Sequence, residues 1–318
     1  MRARAYAPAS IGNFAAGFDL MGAALAPLDG SLWGDVVEAA PAAAPTLTVS
    51  GPHAGDMPGD PWQNLVLRTF VLFREALRDK GIDAPPIAFH LEKNLPHRSG
   101  LGSSASSVAA TLTACQALVA SPLSRAELYA AAGRAEALVS GSPHLDNVVP
   151  ALAGGLQLLV PGGGDGSPEA RPLPWPDDLV IVVVSPAFEL ATEESRKVLP
   201  SAFALGETLA FARNLAGFVQ ALGSGDRELL RRCLRDVLAE PHRAPLVPGF
   251  RAAQAAALGA GALGCTLSGS GPALFAVAES VGHGRAVADA LRGALCAAGL
   301  ASEARLCGLD LQGARILP

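Results

Sequence analysis

A chain of 318 residues, half of them hydrophobic, is long enough for one large or two ordinary domains with sizeable cores. A net charge of −5 and the lack of any Lys/Arg-rich run exclude nucleic acid as the main partner, and Arg231, Arg232 and Arg235 read as a solvated face on a predicted helix. No stretch approaches the ~18 apolar residues needed to span a bilayer, and Arg2 and Arg4 lead to Gly12, Asn13 and Asp19 without a signal-peptide core. A cytoplasmic protein with no membrane contact is expected.

In chain order, a short strand is predicted over about 3–7, and it runs into Ala7-Pro8-Ala9-Ser10-Ile11-Gly12-Asn13-Phe14-Ala15-Ala16-Gly17-Phe18-Asp19. Across this glycine-containing turn Asn13 and Asp19 form a polar pair suited to a small zwitterion: Asp19 for an ammonium, Asn13 for a carboxylate or hydroxyl. The same pair could equally close an Asx turn. Strands follow near 33–39 and 46–50, then a Gly/Pro/Asp-rich loop over 51–61, a helix near 62–80 and an alternating strand over 86–92.

The next segment, Pro96-His97-Arg98-Ser99-Gly100-Leu101-Gly102-Ser103-Ser104-Ala105-Ser106-Ser107, is glycine- and serine-rich. It runs into a helix over 103–120 on which Val108, Leu112, Cys115 and Val119 recur at helical spacing. A helix N-terminus offers free N–H groups and the positive end of the dipole, so the pattern suits an anion, and a nucleoside triphosphate above all. It matches neither G-x-x-x-x-G-K-S/T nor a dinucleotide fingerprint, so a capped helix after a tight turn is the competing reading.

A third helix over 124–140 has a capping box, Ser124 with Glu127, and one face traced by Leu128, Ala132, Ala135 and Val139. Glu136 sits near that apolar edge, where a carboxylate could hold a divalent cation or face solvent. Ser142-Pro143-His144-Leu145-Asp146-Asn147 then packs His, Asp and Asn into four positions, either as a site or as caps for local backbone groups. After a strand near 155–160, residues 161–178 read as a long loop and mark the expected domain boundary.

Leu179–Val184 is a continuous apolar run suited to a strand covered on both faces. Helices are predicted near 205–222, 226–239, 249–258 and 284–298, with Leu205, Leu209, Ala212, Ala216 and Val219 periodic on the first. Strands are predicted near 263–268, 273–279 and 303–310, and Pro241–Gly249 reads as a loop. Between two of these strands lies Gly264-Cys265-Thr266-Leu267-Ser268-Gly269-Ser270-Gly271-Pro272, able to close over a ligand or merely to turn a hairpin. Five widely spaced cysteines, at 115, 233, 265, 296 and 307, suggest neither disulfides nor a zinc knuckle, and no internal repeat is visible. The pattern is an α+β chain in two halves.

Taken together, the proline-headed GLGSSA loop, the APAS…NF..GFD segment before it and the SGSGP loop after it resemble the three signature motifs of the GHMP kinase superfamily over essentially the whole chain. Within it, Tyr6-Ala7-Pro8-Ala9-Ser10, Gly17-Phe18-Asp19, His144-Leu145-Asp146-Asn147, Ala239-Glu240-Pro241-His242-Arg243 and Pro248-Gly249-Phe250 are similar to the homoserine kinase branch. The resemblance implies a domain like the second domain of ribosomal protein S5 over 1–165 and a ferredoxin-like domain over 166–318, with the site between them and a homodimeric assembly. It also implies transfer of the ATP γ-phosphoryl to the side-chain hydroxyl of L-homoserine in threonine biosynthesis.

Carried over by motif, residues 96–106 wrap the ATP phosphates, and Glu136 with Ser103 or Ser104 holds Mg²⁺. Asn13, Asp19, His144, Arg196 and Arg243 form the amino-acid pocket, and Asn147 lies near the reacting hydroxyl, where related kinases carry an aspartate. Asn147, Arg196 and Arg243 are the expected catalytic residues. Two departures from the commoner family text stand out: His97-Arg98 in the phosphate loop and Ala15-Ala16 before Gly17. Arg98 could bind phosphate or point to solvent. A kinase for another small alcohol, or a non-catalytic sensor on the same fold, are the alternatives.

Overall fold

Alternation builds the first sheet. In Ile87–Glu92 the side chains of Ile87, Phe89 and Leu91 are buried and those between them are half-buried, as a strand with one face on a core requires. The computed structural model describes residues 2–120, 122–162 and 168–318. In chain order its elements are β1 (Ala3–Pro8), β2 (Ser10–Gly12), β3 (Met21–Pro27), β4 (Gly34–Pro41), β5 (Thr46–Ser50), α1 (Leu65–Arg78), β6 (Ile87–Glu92), α2 (Ser103–Gln116), α3 (Arg125–Ser140), α4 (Val148–Ala153), β7 (Leu156–Pro161), β8 (Pro168–Leu173), β9 (Val180–Pro186), α5 (Thr192–Lys197), α6 (Leu205–Ser224), α7 (Arg227–Cys233), α8 (Glu240–Arg243), α9 (Phe250–Gly259), β10 (Gly264–Leu267), β11 (Leu274–Ala278), α10 (Val281–Ala297), β12 (Ser302–Leu309) and β13 (Arg315–Ile316).

The first sheet has the order β13-β1-β4-β6-β5, antiparallel except for the parallel β5–β6 pair. Its inner face packs Val37, Phe89 and Leu91 against Phe70 and Phe73 of α1 and Val108 and Leu112 of α2. The second sheet runs β10-β11-β9-β12-β3-β7-β8, with β2 added on β3. Its β9 is covered on both faces as predicted: Ile181 and Val183 meet Phe14, Phe218 and Phe275, while Val182 and Val184 meet Phe250, Val287 and Leu291.

Strand β9, helix α9, the β10–β11 pair, helix α10 and β12 give a βαββαβ unit with strand order β12-β9-β11-β10, the ferredoxin-like arrangement. The α+β class is what the structure has. Because β12 pairs with β3 (Cys307 opposite Pro27, Leu309 opposite Leu25), one sheet runs unbroken from the second half into the first. The motif loops sit at that seam.

The expected boundary at 165/166 lies outside the described residues. The segment 161–178 is not all loop: Pro168–Leu173 pairs with β7 as an exposed edge strand, a position where its two prolines cost no ladder hydrogen bond. The helix predicted near 226–239 stops at Cys233, because the Asp236 carboxylate accepts from the amides of Leu238, Ala239 and Glu240 and offers the chain an alternative to helix. Arg231 and Arg232 are thus exposed on α7, with Arg235 exposed just beyond it. Val119 lies past the end of α2, and Val139 is 48% exposed, facing a cleft rather than the core. On α6 the predicted stripe is outside at its start, Leu205 being 74% exposed, and the buried positions are Asn214, Phe218, Ala221 and Leu222.

Candidate active site

The glycine-serine segment forms the connection from β6 into α2, and Gly102 is the N-cap residue of that helix, in the left-handed region at φ +63°. No side chain caps this end, so the first-turn amides of a 14-residue helix point into the cleft unclaimed, with the dipole behind them. A Cβ on Gly102 would collide with Ser10 Oγ, and one on Gly100 (φ +80°) would lie 2.7 Å from the Ser268 carbonyl oxygen. Both glycines are therefore required by backbone conformation and by close approach.

The two candidate metal serines diverge. Ser103 Oγ donates to the Leu95 carbonyl at 3.1 Å, inside the loop, whereas Ser104 Oγ donates to Glu136 Oε2 at 3.1 Å across the cleft. Glu136 is buried, and burial, with the Asp146 carboxylate adding to it, raises its pKa to about 7 despite the Ser104 hydroxyl. Leu101, Ala105 and Ser106 face inward, Ser106 Oγ donating to the Ala7 carbonyl at 2.7 Å. Arg98 is exposed and left-handed (φ +52°), and His97 lines the cleft with its pKa lowered by burial and then by Arg98.

The amino-acid side assembles from distant segments. Asn13, itself left-handed (φ +52°), accepts the Asp19 amide on Oδ1 at 2.8 Å, so it does close a local turn, and its own amide donates to Asp146 Oδ2 at 2.8 Å. The Asp19 carboxylate takes the Arg196 guanidinium in a fork, 3.1 Å to Oδ2 and 2.7 Å to Oδ1. The same Arg196 Nη2 donates to His144 Nδ1 at 3.0 Å, so the imidazole proton sits on Nε2, which donates to Ser142 Oγ at 2.7 Å. Burial, reinforced by Arg196, lowers the His144 pKa and keeps the ring neutral.

Arg243 is the most telling group. It is 1% exposed, its Nε donates to the Ser195 carbonyl and its Nη1 to the Gly269 carbonyl, both at 3.2 Å, and its Nη2 is buried with no hydrogen-bond partner. Its guanidinium stands 5.1 Å from the Phe18 ring centre. No ion pair offsets this charge among the described residues, and burial followed by Arg196 lowers its pKa.

The three motifs meet in one cleft of about 190 Å³. The Gly269 amide donates to the Gly12 carbonyl (2.9 Å), Ser268 Oγ to the Gly100 carbonyl (2.5 Å), the Ala273 amide to the Ser99 carbonyl (3.1 Å) and the Ser10 amide to the Leu101 carbonyl (3.0 Å). Asn147 stands at the centre, its Oδ1 accepting from Ser10 Oγ at 3.0 Å. The terminal loop therefore closes over the other two motifs rather than only turning a hairpin. The cleft brings together Asn13, residues 97–100 and 102–104, Glu136, His144, Asp146, Asn147, Arg196 and Arg243. Pro96 stays at the loop's start, where its carbonyl accepts Ser99 Oγ at 2.8 Å.

Sequence reading missed Phe18 as the ring beneath two guanidiniums, Ser195 as a backbone acceptor for Arg243, and a buried pair under the loop, Lys93 with Asp35. An aspartate inside the apolar run Gly34-Asp35-Val36-Val37 was the one available signal for the last.

Amides unclaimed at a helix start, a buried carboxylate facing a serine, and a buried guanidinium some way round the same cleft suit a phosphorylated ligand beside a second anionic one. Among the described residues no three His, Cys, Asp or Glu side chains form a ready-made metal cluster.

Comparison with known proteins agrees with that geometry. The family model "GHMP kinases N terminal domain" matches residues 64–155, and "GHMP kinases C terminal" matches residues 218–297. The structure is similar to that of a homoserine kinase from Cytophaga hutchinsonii, with 32% identity, 99% of this chain and 97% of that one covered, and a TM-score of 0.89. It also shares its fold with a candidate homoserine kinase from Listeria monocytogenes (23% identity, both chains covered in full, TM-score 0.69). A third likeness is to the L. major mevalonate kinase in complex with R-mevalonate (19% identity, 98% and 97% covered, TM-score 0.66). With loop, helix start, motif order and both family regions in agreement, the chain belongs to the GHMP kinases.

Proposed function

We propose that this kinase transfers the ATP γ-phosphoryl to the side-chain hydroxyl of L-homoserine, giving O-phospho-L-homoserine. The observation that carries the reading is Arg243, a buried guanidinium with Nη2 unpartnered beside the cleft, which calls for an anionic group on the acceptor. The α-carboxylate of an amino acid supplies one, and two parallel hydrogen bonds suit it. Asp19, held by Asn13 and forked to Arg196, is the counter-charge for the ammonium, and Arg196 is free to share the carboxylate once the substrate draws on Asp19. A homodimer and a cytoplasmic setting complete the reading; sedimentation checks the first.

On the nucleotide side, the amides opening α2 and the loop 96–102 hold the triphosphate, and Ser104 with Glu136 is the pair suited to Mg²⁺, since Ser103 Oγ is spent on Leu95. Mg²⁺ supplies charge neutralisation on the phosphate oxygens. Asn147 cannot accept a proton. It orients the acceptor hydroxyl from its fixed place against Ser10, and the proton leaves to the γ-phosphate or through water, so in-line placement supplies most of the acceleration.

The test is ADP release with L-homoserine, L-serine and mevalonate, each with and without Mg²⁺. Homoserine- and Mg²⁺-dependent release supports the reading. Release with mevalonate alone points to another small alcohol, and nucleotide binding with no release points to a sensor.

A further inference from the structure

Lys93 and Asp35 lie beneath the phosphate loop, outside the cleft, with side chains 2% and 0% exposed. The lysine Nζ donates to Asp35 Oδ2, to the Ser103 carbonyl at 2.9 Å and to Ser107 Oγ at 3.1 Å. Ser107 Oγ in turn donates to Asp35 Oδ2 at 2.6 Å. The other carboxylate oxygen, Oδ1, accepts the amides of Asn94 (2.9 Å) and Leu95 (3.1 Å). One buried ion pair thus grips both ends of the loop: residues 94–95, where the chain leaves β6, and residues 103–107, where it becomes α2.

An isolated buried pair of this kind is poor evidence for stability, since desolvating both ions offsets most of their attraction. What this pair specifies is geometry. The spacing between residues 95 and 103 decides whether the loop amides and the first helical amides converge on one phosphate, and the Lys93–Asp35 pair bonds both ends at once. Ser103 Oγ to the Leu95 carbonyl is a single link across the neck, and it depends on the same spacing.

We propose that Lys93 and Asp35 are positioning residues for nucleotide binding, setting the shape of the 96–102 loop from below without touching the ligand. The proposal rests on the kinase reading of the cleft. It requires only that the loop hold a nucleoside di- or triphosphate, whichever acceptor is used.

The experiment uses the full chain, with MgADP titrated calorimetrically and L-homoserine titrated separately. Lys93→Met strands a buried carboxylate and can fail to fold, so the decisive variant is the double Lys93→Met/Asp35→Asn, which removes both charges at similar volume and keeps an acceptor for the Asn94 and Leu95 amides. We expect the double variant to melt close to the wild type yet to bind MgADP about tenfold or more weakly, the scale of one lost charged hydrogen bond. Homoserine affinity should not change. In assays the KM for ATP should rise by a similar factor, with the KM for the acceptor unmoved.

A double variant of wild-type stability that binds MgADP as the wild type does would overturn the proposal and leave the kinase reading standing. Equal weakening toward MgADP and homoserine would also overturn it, since that marks general loosening rather than loop geometry. Wild-type protein that binds no MgADP would overturn both.

Discussion

Arg243 shows how one side chain can carry an assignment. Among the described residues its buried Nη2 has no hydrogen-bond partner and its charge no ion pair, a costly arrangement unless a ligand completes it. Arg243→Met should therefore lower kcat/KM for L-homoserine by about 10- to 100-fold, the cost of one or two charged hydrogen bonds. Binding of MgADP, measured by calorimetry, should stay within about twofold. Asn147 makes the opposite case, since it offers position and no basicity. Asn147→Asp should slow turnover by about tenfold or more, and the pH–rate profile should gain no new acidic limb; a faster enzyme with such a limb would put a general base back in the mechanism. Glu136→Gln keeps the hydrogen bond from Ser104 but removes the charge. It should move the Mg²⁺ concentration for half-maximal ADP release up about tenfold.

At the scale of elements, the phosphate site depends on a helix that begins without a side-chain cap. Gly102→Ala would force a left-handed alanine against Ser10 Oγ, destabilising the protein by about 1–3 kcal/mol. The melting temperature should fall and the KM for ATP rise together, which thermal denaturation and steady-state kinetics can measure side by side. This element was readable from sequence because glycine, serine and a helical period coincide over 20 residues or so. The amino-acid pocket was readable only through its motif text: Asp19 and Arg196 are 177 residues apart, and no periodicity links them. Edge strand β8 was hidden by its prolines and its exposure, and Val139 kept the helical period while facing the cleft. Lys93 was hidden for a different reason. A lysine at a strand end ordinarily reaches water, and only the antiparallel β4–β6 register, with Val36 opposite Glu92, brings it under the loop beside Asp35.

The whole molecule places the cleft on a seam. Strand β12 joins β3, the SGSGP loop docks on Gly12, Ser99 and Gly100, and Asp146 ties α4's approach to the Asn13 turn. Asp146 is 3% exposed, and burial, with Asp19 adding to it, pushes its pKa from 3.8 up to about 6. A carboxyl whose folded pKa is raised stabilises the fold while it is protonated, and that contribution is lost as pH climbs from about 4 through about 6. Asp146→Asn should remove this dependence. Denaturant midpoints at pH 4.5 and 7 should show the variant gaining on the wild type by about 2 kcal/mol as pH rises.

In the proposed reaction the carboxylate of the amino-acid substrate completes Arg243 while the helix start of α2 holds the triphosphate. The most direct measurement compares kcat/KM for L-homoserine with that for 3-aminopropan-1-ol, the same alcohol without its carboxylate, in wild type and in Arg243→Met. The wild type should favour homoserine by about 10- to 100-fold, and the variant should lose that preference. A wild-type enzyme indifferent to the carboxylate, or a variant that keeps the full preference, would contradict the account.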